Sequence, residues 1–283
     1  MKLTDKRFWI FKKIMLFCGF MLILGIDKIS VFSIQLKHFT HSDVMVLARI
    51  VLTLFWSNKY RHMKYYQLSF TLEKSIRGNY EMPHTISIDT PNFLKYILDN
   101  NKTISMYFEN RKNLYEEMPD NLRGKLIKRN GVIDFMDFTP SCLSLVAVVS
   151  YKIKQIFEHL NVSKDEYVFK KISIKDYAEE FYLLFIPIIP DTEFVYPKCI
   201  FKDMFDNGNI KTFNNRTEYY NDPNDYCLKK VVLKDTYRDY DLLYPQGGGF
   251  FFSERIVNAM QRENIVGYDL VKGGYFYEEI DFV

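Results

Sequence analysis

Two stretches of the chain, residues 143–172 and 244–271, follow the same order of hydrophobic and polar positions. In each, an apolar run ends at a serine, and apolar residues then recur every three or four positions before a second apolar run. This order predicts a buried strand, an amphipathic helix and a second strand. Aligning Ser150 with Ser253 also aligns apolar positions of the two helices. The stretches are interpreted either as two related strand–helix–strand units or as independent junctions that share a serine cap.

The serines and glycines of these stretches are assigned structural roles. A serine at a helix N-cap accepts a hydrogen bond from a backbone N–H of the first turn, so both serines are predicted to be caps and not nucleophiles. Three consecutive glycines before Phe250 predict a tight turn, and a further glycine follows the second helix. The residues predicted to be structural are Ser150, Gly247, Gly248, Gly249, Ser253 and Gly267.

The pattern after residue 62 otherwise predicts short strands separated by polar segments. The predicted strands cover residues 65–72, 84–88, 104–108, 132–138, 167–174, 181–189 and 226–233. Thr90 and Pro91 predict the start of a short helix that runs to residue 98. Residues 119–128 are predicted to be a loop or a weak helical turn, and residues 202–226 an exposed loop or an extended hairpin. The fold class expected is α+β, with one mixed, mostly antiparallel sheet and a few packed helices.

The first 62 residues differ in charge from the rest of the chain. They carry ten Lys/Arg and three Asp/Glu, which leaves 28 basic and 32 acidic residues in residues 63–283. The uncharged run 14–26 would form a helix of ~20 Å, shorter than the ~30 Å hydrocarbon core of a membrane. Residues 1–62 are interpreted as an N-terminal extension, either a misassigned start or a short membrane anchor through residues 8–26. Residues 63–283 are interpreted as a single α+β domain.

No reactive centre is recognisable in the sequence. The four cysteines are far apart and form no CxxC pair, which indicates reduced thiols in a cytoplasmic protein. His84 and His159, the two histidines after residue 62, lack a partner at metal-ligand spacing, and no G-x-S-x-G motif is present. The acidic balance of residues 63–283 argues against nucleic acid as a partner. We therefore expect no enzymatic activity, no cofactor and no metal.

Two sequence blocks, FFSERIVNAMQRENIVGYDL near the C-terminus and VVSYKIKQIFEHL further upstream, resemble motifs of bacterial polymorphic-toxin immunity proteins, specifically immunity protein family eleven. The resemblance covers roughly residues 130–283. The two blocks are not strict repeats of each other, because Tyr151 and Lys152 follow Ser150 where the acidic–basic pair Glu254 and Arg255 follows Ser253. The resemblance implies a non-enzymatic cytoplasmic protein that binds and neutralises a cognate protein toxin.

Tyrosines and acidic residues near the loops are the expected contacts with such a toxin, because tyrosine is favoured at interfaces. The candidate partner-binding residues are Tyr219, Tyr220, Tyr226, Tyr237, Asp239, Tyr240 and Asp241. Two alternatives stay open: a membrane-tethered α+β protein of the inner membrane, and an enzyme whose dispersed site the sequence does not reveal. The sequence leads to no prediction of the oligomeric state.

Overall fold

The computed structural model describes residues 63–99, 106–110, 116–127, 131–141, 144–205, 209–274 and 277–283. The chain divides between His62 and Met63 into an N-terminal and a C-terminal part, and only the C-terminal part contains described residues. The expected extension or anchor at residues 1–62, including the segment 8–26, therefore lies outside the described residues, as do Cys18 and Cys142. Across the ranges given above, the helices are too short or too polar to span a membrane.

The described residues form short strands and helices, in agreement with the predicted α+β class. The strands are β1 (Tyr65–Phe70), β2 (Thr85–Ile88), β3 (Leu122–Leu126), β4 (Phe135–Thr139), β5 (Leu145–Ser150), β6 (Val168–Ile174), β7 (Phe181–Phe185), β8 (Ile200–Asp203), β9 (Ile210–Lys211), β10 (Tyr226–Leu233), β11 (Leu242–Leu243), β12 (Phe251–Ser253), β13 (Tyr268–Leu270) and β14 (Glu279–Phe282). The helices are α1 (Lys74–Arg77), α2 (Phe93–Leu98), α3 (Tyr151–His159), α4 (Arg216–Asn221) and α5 (Glu254–Arg262).

The strands are arranged in three sheets and not in the one sheet expected. Six strands close into a barrel in the order β2-β3-β6-β7-β5-β4, and four form a sheet in the order β11-β12-β1-β13. A third sheet has the order β14-β10-β8-β9. Most pairings are antiparallel, as predicted, but β2–β4, β3–β6 and β10–β14 are parallel. The mixed, mostly antiparallel character is thus confirmed, although it is spread over three sheets.

Both of these mainly polar segments contain regular structure, and β8 and β9 pair as an antiparallel hairpin at the start of residues 202–226. In residues 119–128, β3 pairs with β2 and β6, because Leu122 and Gly124 face the barrel interior and are buried. In residues 202–226, Phe213 is fully buried in the third sheet's core, and α4 follows it. The Asn215 side chain accepts a hydrogen bond from the Glu218 backbone N–H and so starts α4. These segments look polar because only a few of their side chains point inward.

The helix predicted from Thr90 and Pro91 exists but begins later. It starts at Phe93, and Asn92, in the left-handed conformation with φ 65°, occupies the N-cap position. The hydroxyl of Thr90 instead lies 2.7 Å from the backbone nitrogen of Arg123 on β3 and accepts its hydrogen. Tertiary contact with the neighbouring strand thus decides where the helix starts.

The two strand–helix–strand stretches are equivalent in three dimensions. The neighbouring strands β4-β5-β7-β6 of the barrel and the sheet β11-β12-β1-β13 have the same order, and each neighbouring pair within them is antiparallel. We call them the first and second units. Helix α3 follows β5 directly and α5 follows β12 directly, and the two helices pack against each other. The position of β7 in the first unit is taken in the second unit by β1.

The register confirms this equivalence residue by residue. Ser150 pairs with Phe181 and Ser253 pairs with Tyr65, each at the end of the strand before the helix. Both helices are followed by an asparagine in the left-handed conformation, Asn161 and Asn264, each with φ 51°. The interpretation as two related units is therefore favoured over independent junctions. The second unit is circularly permuted, because its β7 equivalent comes first in the described chain.

Candidate functional site

Each unit places a serine against an aspartate at the point where the helix begins. Ser150 Oγ donates a hydrogen bond to Asp134 Oδ1 at 2.8 Å, and Ser253 Oγ donates to Asp241 Oδ1 at 2.6 Å. The backbone N–H of each serine also donates to the carbonyl of the same aspartate, at 2.8 Å in both units. The serines occupy the N-cap positions as predicted, but their hydroxyls do not cap the helix N–H groups. They hold the strand ends together instead.

A basic residue two positions after the serine completes each cluster. Arg255 binds Asp241 with two nitrogens, through Nε to Oδ1 at 2.5 Å and through a terminal nitrogen to Oδ2. Lys152 Nζ approaches Asp134 Oδ1 to 3.5 Å. Lys152 is the equivalent of Arg255 in the first unit. It carries the same charge but does not bind the aspartate with two nitrogens. We call the cluster around Asp134 the open cluster and the cluster around Asp241 the closed cluster.

The serine and the aspartate of the closed cluster are buried beside a residue of the first unit, whereas Arg255 reaches them from the surface and stays 43% exposed. Asp241 is 1% exposed and Ser253 is 0% exposed. Glu166 Oε2 accepts hydrogen bonds from the backbone N–H groups of Asp241 and Leu242, at 2.6 and 2.9 Å. Burial raises the pKa of Glu166 to about 7, although these hydrogen bonds and Arg255 act in the opposite direction. The closed cluster thus joins the two units through a buried polar network.

The raised pKa of Glu166 predicts a pH-dependent stability. Below the unfolded-state value of 4.5 the carboxyl is neutral in both states, so it costs nothing. As the pH rises from 4.5 to about 7, the unfolded chain ionises first, and the free energy of unfolding falls by on the order of 3 kcal/mol. We expect Glu166→Gln to make this decline shallower in denaturant titrations at several pH values, while Glu278, whose pKa burial also raises to about 7, keeps its own contribution. Glu180→Gln, at an exposed site, should leave the decline in place; an equal slope in E166Q and wild type would contradict the assignment.

The open cluster lines a surface pocket of about 560 Å³. The lining residues are Val132, Ile133, Asp134, Ser150, Tyr151, Lys152, Glu179, Glu180, Phe181 and Val266. Asp134 Oδ2 accepts a hydrogen bond from the backbone N–H of Val266 at 3.2 Å, so the second unit also contributes to the pocket wall. The open cluster therefore presents its carboxylate at a solvent-accessible cleft, which the closed cluster does not.

The open cluster brings Ser150 together with a carboxylate and a lysine, without a histidine among its lining residues. A serine nucleophile needs a base, most often histidine, within hydrogen-bond distance. His84 and His159 are not among the pocket-lining residues: His84 is buried beside β4, where its carbonyl accepts from the Asp137 N–H, and His159 is exposed at the end of α3. The Ser150 hydroxyl proton points to a carboxylate, which is a weak base. Within the described ranges, moreover, no group of three or more His, Cys, Asp or Glu has the arrangement of a metal site.

The predicted structural glycines allow close backbone approaches. Gly247 has φ 76° in the predicted turn, and the two glycines after it leave room for neighbouring side chains. A Cβ on Gly248 would lie 2.8 Å from Glu278 Oε2, and one on Gly249 would lie 2.4 Å from Gln67 Nε2. Burial raises the pKa of Glu278, which accepts a hydrogen bond from the Gly249 N–H at 2.8 Å, to about 7. The turn thus fits around a buried carboxyl group that sequence inspection missed.

Three of the candidate partner-binding residues lie together on the third sheet. Tyr219 and Tyr220 are on α4, and Tyr226 begins β10. Tyr219 and Tyr226 contact the buried Phe213 with centroid distances of 5.3 and 5.2 Å, and Tyr220 contacts Tyr219 at 5.1 Å. We call these three residues the tyrosine surface.

The other candidates lie near the end of β10 and divide into surface and interior residues. Tyr237 and Tyr240 are half-buried and contact each other and Phe108, and Asp239 is exposed. Burial, with Glu193, Tyr240 and Glu109 nearby, raises the pKa of Tyr237 to about 12, so this tyrosine stays neutral. The prediction that Asp241 contacts a partner is wrong. Its side chain is buried in the closed cluster, and its oxygens accept hydrogen bonds from Ser253 and Arg255.

The pairing of each serine with an aspartate was missed, because a strand and a connection separate the two residues in the sequence. Asp134 precedes β4 and Asp241 precedes β11, so the available signal was an aspartate at the start of the strand that comes before each serine-ended strand. Cys199 and Cys227 are free, while the other two cysteines lie outside the described residues. Comparisons with protein-family models and with curated proteins find no match to this chain. What the chain does must therefore be argued from its own residues.

Proposed function

We propose that this chain is a non-enzymatic immunity protein that binds a bacterial protein toxin and neutralises it. The observation that carries the proposal is the tyrosine surface, where the exposed Tyr220 and the half-buried Tyr219 and Tyr226 are held in place. Tyr220 is 54% exposed, and its hydroxyl donates to Asp191 Oδ2 at 2.8 Å. The guanidinium of Arg216 lies 4.8 Å from the Tyr220 ring centroid and binds the same carboxylate.

A restrained tyrosine favours binding because little conformational freedom is lost when a partner covers it. Asp191 is 5% exposed and also accepts a hydrogen bond from Tyr196 at 3.0 Å, so the anchor of Tyr220 is itself rigid. The neighbouring Tyr226 hydroxyl is held by Asp222 at 3.1 Å. Together with the resemblance to immunity protein family eleven, this preorganised surface supports recognition of another protein.

The acidic balance of residues 63–283 favours a basic partner surface. Complementary charge speeds encounter and selects among partners. A toxin that acts on nucleic acid would present such a surface, since it must contact phosphates. Neutralisation would then follow from covering the active site of the toxin, with no reaction required of this chain.

We expect Tyr220→Ala to weaken toxin binding at least tenfold, which corresponds to about 1.4 kcal/mol, because anchored interface tyrosines contribute this much or more. Tyr80→Ala is the matched control, since Tyr80 is 46% exposed and lies outside the tyrosine surface. The measurement is the dissociation constant of the full chain with the toxin encoded beside its gene, together with survival of cells that co-express both.

The outcomes separate the function from the surface. Absence of protection and of a complex with wild-type protein would contradict the proposed function. Protection that Tyr220→Ala leaves intact, with the same affinity, would contradict only the role of the tyrosine surface. Equal weakening by Tyr80→Ala would also count against that role, because it would show a loss that does not depend on position.

A further inference from the structure

The open cluster is a second place where a partner could be recognised, and its equivalent in the second unit shows how. We propose that the 560 Å³ pocket at Asp134 binds an arginine side chain of a partner protein. This goes beyond the proposed function, because it requires only that the partner present an arginine and not that it be a toxin. Three observations support it: an arginine binds the equivalent aspartate in the second unit, Lys152 contacts Asp134 only loosely, and the pocket lining is acidic.

The closed cluster is an internal template for arginine binding. There the Asp241 carboxylate receives the Ser253 hydroxyl and Arg255 Nε on Oδ1, at 2.6 and 2.5 Å, and a terminal guanidinium nitrogen on Oδ2. A planar guanidinium matches a carboxylate in this two-point way, which an ammonium group cannot reproduce. A Ser–Asp pair at the end of this strand is therefore a geometry that accepts arginine.

The open cluster keeps the Ser–Asp pair but lacks the guanidinium. Lys152 replaces Arg255, touches only Oδ1 at 3.5 Å, and has a side chain that is 58% exposed. Oδ2 of Asp134 receives a backbone N–H from Val266 at 3.2 Å, a long hydrogen bond. An arginine that enters the pocket from a partner could displace Lys152 into solvent at little cost and bind Asp134 with two nitrogens.

The pocket has the charge and the walls that an arginine side chain requires. Its charged lining residues are the three carboxylates of Asp134, Glu179 and Glu180 and the one cation of Lys152. Glu180 forms an ion pair with Lys171 and accepts a hydrogen bond from the Tyr182 hydroxyl. The exposed Glu179 is therefore the carboxylate at the pocket rim that we expect to attract an incoming guanidinium. Apolar side chains, among them Val132, Ile133 and Phe181, can cover the methylene stem while the guanidinium reaches Asp134.

The test uses acetyl-arginine-amide as the probe and acetyl-citrulline-amide as its neutral control. The full chain is titrated with each compound, and backbone amide shifts are followed by NMR. We expect the arginine compound to bind with a dissociation constant of roughly 1 mM and to shift the amides of Tyr151 and Val266. The citrulline compound should produce no saturable shift there. Equal responses to the two compounds, or shifts confined to other sites, would overturn the proposal.

Two variants with opposite effects exclude a merely structural response. Lys152→Gln removes the competing cation and should tighten binding of acetyl-arginine-amide roughly two- to fivefold, whereas Glu179→Gln should weaken it by a similar factor. Asp89→Asn is the control, since Asp89 follows β2 at the end of the barrel opposite to Asp134, as the parallel β2–β4 register shows. Weakening by Lys152→Gln, or no change in either variant, would contradict the assignment.

Discussion

Gly267→Ala is expected to destabilise the protein by about 4 kcal/mol or more, one of the two largest effects predicted for a single substitution here. An added Cβ would lie 2.1 Å from the carbonyl oxygen of Phe135 and 2.9 Å from Ile133 Cδ1, far inside any allowed contact. Gly267 also has φ 118°, a conformation that L-residues rarely adopt. To relieve the clash, β4 must move away and lose the hydrogen bond from the Phe135 N–H to the Val266 carbonyl, now 3.0 Å.

The measurement is the midpoint and slope of unfolding in urea. Gly131→Ala is the matched control, because Gly131 has φ 108° but nothing within 4 Å of the added carbon. It should lose only the backbone strain, about 1 to 2 kcal/mol. Similar losses in both variants would mean that strain alone matters and that the close approach of the two units at Phe135 contributes nothing.

Asp241→Asn is expected to cost about 2 to 3 kcal/mol, because the buried carboxylate accepts hydrogen bonds from Ser253 and from two nitrogens of Arg255, and a hydrogen bond to a charged group contributes about 1.5 to 3 kcal/mol. The Asp241 side chain is 1% exposed, whereas the Arg255 side chain is 43% exposed and can be hydrated after the change, so the loss stays below that of a fully buried ion pair. An asparagine would also point a second set of N–H groups at Arg255. The free energy of unfolding, again from urea titration, gives the loss directly.

The equivalent substitution in the first unit provides the comparison. Asp134 keeps a 13% exposed side chain and holds Lys152, which is 58% exposed and can be hydrated after the change. We therefore expect Asp134→Asn to cost only about 1 kcal/mol, close to one exchanged hydrogen bond. If the two substitutions cost the same, the distinction between an open and a closed cluster has no energetic content.

Local pattern was sufficient to locate most of the elements. The buried strands and the two serine-led helices were predicted because apolar spacing reports which face is buried, and that spacing survives in isolation. The α+β class followed from the same pattern. Even the relation between the two stretches was visible, since the two serines aligned together with the helix positions that pack in the core.

Features that depend on distant partners were not predictable. The short strand β3 forms because it pairs with β2 and β6. Its own sequence, with only Leu122 and Gly124 facing inward, alternates too weakly to predict a strand. The role of Gly267 was assigned to the helix end, whereas the structure shows that Phe135, far away in sequence, dictates it. Glu166 and Asp241 are polar residues in loops by pattern, and only the docking of the two units buries them.

The circular permutation of the second unit has a consequence for synthesis. The strand β1 leaves the ribosome before any of its partners, because β12 and β13 lie almost 200 residues later. The first unit has all four of its sheet strands between residues 135 and 185 and can assemble early, whereas the second must wait until translation is nearly finished. We therefore expect that β1 lacks its partner strands in a nascent chain that ends before residue 251, and that its exposed backbone is then available to chaperones.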